Sequence, residues 1–198
     1  MADRPRALRR HTLKLAVTAM LAALLTGGKF VLAAIPNVEI VTLLCALYGY
    51  TFGWTGIAAT YLFVVIESLL WGVQSWVLTY VLYWPFVAFI FYLLGGRVSN
   101  RWILTAVACV LTVWFGVLSS LVDTGLFTGF FDRFFYRFSI IYVRGVAFYV
   151  TQIVCNAVLF PIAFIPLHRR LSAMLPVVLF RKQPKAKPPT LQSLPPAE

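Results

Sequence analysis

Six apolar runs, at residues 13–32, 39–52, 55–71, 76–94, 103–121 and 146–164, constrain this chain more than any other feature of it. About 20 residues of helix cross the hydrocarbon core of a bilayer, and every run except the second approaches that length. The breaks between them are of the kind that ends helices. Pro36 lacks an N–H and turns Ile35 away from helical geometry, whereas Gly53-Trp54, Gly72 to Ser75 and Gly95-Gly96-Arg97 supply flexible turns. The 12% of charged residues lies well under the roughly 25% of an ordinary soluble domain, and 61% of the 198 residues are hydrophobic. A chain this short cannot bury that much apolar surface in one core, so a water-soluble globule is excluded and lipid is the expected solvent.

The net charge of +11 reads as orientation and does not point to nucleic acid. If the six runs alternate in direction, Arg4, Arg6, Arg9, Arg10, Lys14, Arg97, Arg101 and six basic residues from Arg169 onward share one side. Only Lys29, Arg133, Arg137 and Arg144 fall on the other. Thirteen of the 17 cations on one side predicts an all-α polytopic membrane protein with six transmembrane helices and both termini cytoplasmic. Residues 1–12 form a basic cytoplasmic N-terminus and residues 13–168 the membrane domain. Residues 169–198 form a basic, Pro-rich tail, expected to be disordered from about 181. The second run is short enough to suggest a partial or tilted span. Residues 123–137, with Phe127, Phe130, Phe131, Phe134, Phe135 and Tyr136, read as an aromatic turn lying on the bilayer surface.

Catalytic signatures are missing from the sequence. There is no G-x-S-x-G, H-E-x-x-H or Walker A motif, so the chain is not expected to be an enzyme or to hydrolyse ATP by itself. His11 and His168 lie in basic flanks, away from Cys45, Cys109 and Cys155, which are read as inert thiols buried in apolar runs. No cofactor or metal site is expected.

Polar residues gather toward one end of the runs. Glu67 is the most costly of them, since a carboxylate in an apolar helix must face a cavity or a partner charge. Either it binds a ligand or it forms a structural ion pair, with Arg144 or Lys29. Helical spacing adds Thr60, Val64, Glu67 and Trp71 on the third run, Trp76, Tyr80, Tyr83 and Trp84 on the fourth, and Tyr149, Gln152 and Asn156 on the sixth. A pocket follows, between helices two, three, four and six, for a planar or partly apolar small molecule. Its polar anchors are Asn37, Glu39, Glu67, Gln152 and Asn156. Trp71, Trp76, Tyr80, Trp84 and Tyr149 are its walls, with an interfacial aromatic belt as the alternative reading of the tryptophans. On the first run Thr12, Ala16, Ala19, Ala23 and Gly27 form a ridge of small side chains, which admits a second helix closely, either a partner's or one from this chain.

The chain resembles the substrate-binding S components of energy-coupling factor (ECF) vitamin transporters. The resemblance covers roughly residues 12–170. It rests on the A-x-x-x-A step of Ala19 and Ala23, on the stretch I-P-N-V-E-I-V-T-L-L from Ile35 to Leu44, and on Glu67 ahead of the Gly72 turn. It implies a multi-pass subunit of a prokaryotic cell membrane that captures a vitamin or vitamin precursor from outside. Ala16, Ala19 and Ala23 would then meet a membrane T component, and two cytosolic ATPases would supply the ATP hydrolysis. Signatures of riboflavin, thiamine or biotin binding are not recognisable, which leaves a corrinoid or a deazapurine precursor as guesses. The rival reading is a non-transport scaffold or cell-envelope protein, in which the same aromatics and carboxylates are structural.

Overall fold

The computed structural model describes residues 3–35, 38–129 and 131–174. Its helices are α1 (Asp3–Leu32), α2 (Val41–Phe52), α3 (Trp54–Trp71), α4 (Ser75–Leu94), α5 (Arg101–Thr128) and α6 (Phe134–Leu159). The last continues through a π turn at Phe160–Phe164 into α7 (Ile165–Met174). Among the described residues there is no strand. Five stretches are long and apolar enough to cross a membrane: His11–Leu32, Trp54–Trp71, Ser75–Leu94, Arg101–Phe127 and Phe134–Ala173. The protein is therefore an all-α, membrane-embedded bundle, as its apolar runs predict.

Helix α2 is the exception, and its burial explains it. At 12 residues it is about 18 Å long, short of the roughly 30 Å hydrocarbon core. Eleven of its residues are buried, so it sits in the middle of the bundle instead of facing lipid. It packs most extensively on α4, while α1 packs on α3 and α5 on α6. Lipid supplies no hydrophobic drive for helices to pair, so close approach of small residues matters. A Cβ built on Gly49 of α2 would lie 1.9 Å from the carbonyl oxygen of Ala88 in α4. Only glycine admits that contact. Gly53, at φ 59°, then reverses the chain between α2 and α3 in a single residue.

The outer faces carry large apolar side chains in the open, among them Leu15 (71% exposed), Leu69 (81%) and Val143 (68%). Such surfaces suit hydrocarbon and not water.

Helix α1 begins at Asp3, so the basic stretch ahead of residue 13 is helical as well, with the exposed Thr12 hydroxyl donating to the carbonyl of Leu8 at 3.1 Å. Two expectations need correction. Residues 123–137 do not form one long turn: α5 reaches Thr128 and α6 starts at Phe134. At 28 residues α5 is about 42 Å long and outruns the hydrocarbon core, where backbone hydrogen bonding continues whatever the side-chain polarity. His168 does not stand in a solvated flank. It is half-buried on α7, with Nδ1 2.9 Å from the Thr51 hydroxyl and its ring 4.8 Å from that of Tyr50. Residues 175–198, most of the expected tail, lie outside the described residues.

Candidate functional site

The polar residues that the sequence gathers toward one end meet around the loop between α1 and α2. Lys29, in the last turn of α1, donates to Oε2 of Glu67 on α3. Glu67 is fully buried, while about a third of the Lys29 side chain is exposed. The ammonium also lies over two rings of α4, 5.9 Å from the centroid of Trp76 and 5.5 Å from that of Tyr80. Spacing of four residues sets the rings of α4 edge to face along one side of the helix, with Trp76–Tyr80 at 5.0 Å and Tyr80–Trp84 at 5.4 Å.

Below that pair lies a cavity of about 200 Å³. Lys29 and Glu39 are the two charged side chains in its wall, joined by the rings of Phe63, Tyr80, Trp84 and Phe148. Gln152 of α6 and the loop residues Ile35 and Val38 complete the parts that matter here. Trp84 and Gln152 are nearly fully buried, yet Trp84 Nε1 and Gln152 Oε1 have no hydrogen-bond partner among the described residues. Both atoms are sealed from the cavity, so each of the two residues meets it with its other atoms.

Glu39 lies in the segment that leads into α2, outside the helices. Its Oε1 accepts from the Thr42 hydroxyl at 2.6 Å, and the Cys155 thiol donates to its backbone carbonyl at 3.3 Å. No ion pair among the described residues reaches its carboxylate. Burial pushes the Glu39 carboxyl up to about 7, against the hydrogen bonds of Thr42, which pull it down.

Of the ten residues expected to bind substrate, Glu39, Tyr80, Trp84 and Gln152 line the cavity. The other described ones do not. Glu67 lies behind Lys29, and the ion pair raised in advance is made with Lys29, Arg144 being exposed on α6. Trp76 meets Tyr80 edge to face at the Lys29 ammonium. Trp71 is 56% exposed and stacks on Phe30 at 5.9 Å, the position of a belt residue. Tyr149 packs over Gly116 and Gly145, with its hydroxyl 3.2 Å from that of Ser120. Asn156 is buried and donates to the Thr112 hydroxyl at 3.0 Å. Asn37 lies outside the described residues.

Sequence reasoning did not place Lys29, Phe63 or Phe148 in the wall. Phe148 stands four residues before Gln152, so the helical period could have found it. Lys29 was legible as a snorkelling cation, but its inward turn depends on where α3 brings Glu67.

On α1, Ala16, Ala19 and Ala23 are exposed together with Thr12 and Gly27, while Val17, Leu21, Ala22 and Leu25 are buried on the opposite face. The small-residue ridge is thus not packed against any of the described residues. Cys45 is buried, but Cys109 and Cys155 are only half-buried; all three are free thiols.

The fold and the cavity together define a polytopic helical membrane protein with a ring-lined cavity beside its first loop. No protein-family profile matches the chain, and no match was found among curated proteins or solved structures.

Proposed function

We propose that the chain is the substrate-specific membrane subunit of an ECF-type transporter. It would capture a vitamin or vitamin precursor for uptake driven by a partner T component and two cytosolic ATPases. The observation that carries this reading is the cavity of about 200 Å³ beside the first loop, with Glu39 and the rings of Phe63, Tyr80, Trp84 and Phe148 in its wall. In the orientation given by the charge split, that loop faces outside, so the cavity takes its ligand from the external medium. The exposed ridge of Ala16, Ala19 and Ala23 is consistent with a docking face for a helix of the T component. The absence of a Walker motif agrees with ATP hydrolysis in other subunits.

A scaffold is the second reading. It is favoured by the Lys29–Glu67 pair and by the packing of Tyr149 on two glycines, both of which are structural uses of residues expected to bind substrate. Mass spectrometry of small molecules retained on the purified chain separates the two. A retained ring compound, taken up in an ATP-dependent way by cells that express the chain and not by cells that lack it, supports the transporter. A chain that retains nothing, and whose deletion changes no uptake, supports the scaffold.

A further inference from the structure

We infer that the ligand of this cavity is a single-ring or fused-ring compound carrying a positive charge, held with that charge against Glu39 and its ring among Tyr80, Trp84 and Phe148. The inference rests on the capture reading above and names the substrate class for it.

The charges in and behind the cavity wall carry the argument. Lys29 contributes one ammonium, and its carboxylate partner is Glu67, so these two neutralise each other. Glu39 contributes a second carboxylate, to which no cation is paired among the described residues. Once Glu39 is ionised, which burial delays to about pH 7, two carboxylates and one ammonium leave the site one positive charge short. An anionic ligand would add to that imbalance and would have to compete with Glu67 for Lys29. A cationic ligand removes it. The surrounding surface favours the same choice, since rings attract a cation over their faces, and Lys29 already uses Trp76 and Tyr80 in this way. The size is set by volume: an apolar cavity of about 150 Å³ holds benzene, so about 200 Å³ holds a ring with a short substituent.

Three probes of nearly equal shape test the charge: benzylammonium, benzyl alcohol and phenylacetate. Each is titrated by calorimetry into the full chain in detergent at neutral pH or slightly above. Benzylammonium should bind about ten-fold more tightly than benzyl alcohol, and phenylacetate more weakly than either. Glu39→Gln should abolish the preference for benzylammonium over benzyl alcohol. The wild-type series stands without the variant should the variant not fold. Equal binding of benzylammonium and benzyl alcohol, tighter binding of phenylacetate, selectivity that survives in Glu39→Gln, or no binding of any probe at millimolar concentration would each overturn the inference. The capture reading fails separately: a retained natural ligand that is neutral or anionic keeps it and removes the cation, whereas cation-selective probe binding without any uptake does the reverse.

Discussion

The ammonium of Lys29, at the end of α1, is paired with the fully buried carboxylate of Glu67 on α3, across 38 residues of sequence. The pair ties the first helix to the third at the edge of the cavity and gives Glu67 a structural role. It also decides which carboxylate is left for a ligand.

Removing one member of this pair should therefore cost stability more than binding. Glu67→Gln strands the ammonium against rings, and because Lys29 keeps about a third of its surface exposed the loss should be about 1–3 kcal/mol, under the full cost of a buried pair. The double variant Lys29→Met, Glu67→Gln should recover most of it. Thermal unfolding of the four proteins in detergent gives the coupling directly.

The contact between Gly49 and Ala88 makes a second prediction. Gly49→Ala forces α2 and α4 apart at the most crowded point of the bundle and should destabilise the protein by about 1–3 kcal/mol. Gly27→Ala, on the open face of α1 with nothing within 4 Å of the added carbon, should not destabilise it. Comparing the two melting temperatures checks both.

Along the ridge of α1, Ala19→Trp and Ala23→Trp place bulk on an exposed face. Each variant should fold and bind benzylammonium as the parent does, while uptake of the natural ligand is lost because a partner helix can no longer approach. Loss of probe binding along with uptake would mean that the ridge supports the fold of the chain itself.

Binding of the cationic probe should depend on pH with a definite sign. With its carboxyl pushed up to about 7, Glu39 is mostly neutral below that pH and mostly charged above it. Benzylammonium stays protonated over this range, so its affinity should rise about five-fold from pH 6 to pH 8, as the ionised share of Glu39 grows over the residual binding to the neutral form. The titratable or charged neighbours are Lys29 of α1, Cys45 of α2, Glu67 of α3, Tyr80 and Tyr83 of α4, and Cys155 of α6. Flattening of the profile in Glu39→Gln isolates the share of Glu39.

Orientation is open to labelling. With Cys45, Cys109 and Cys155 replaced, a cysteine at Val73 should react with an impermeant maleimide on intact cells, and a cysteine at Ser99 should react only after the membrane is opened. The reverse pattern would place the cavity on the cytoplasmic side.

Much of this architecture was legible in the sequence, because hydropathy and helix length are local properties. The apolar runs determined an all-α membrane bundle, the glycine and proline breaks its turns, and the 3.6-residue period the open ridge of α1 and the ring stripe of α4. Tertiary structure decided what depends on the rotation and depth of each helix. It buried the short α2 in the centre, drove α5 and α6 past the expected turn, and directed Lys29 inward to Glu67. That pairing separates two carboxylates that look alike in the sequence: Glu67 is neutralised by a residue of another helix, whereas Glu39 faces a cavity without a cation of its own. The physical reason is that a helix presents its residues at fixed angles about its own axis, but only packing against its neighbours sets which angle meets lipid, which meets protein and which meets empty space.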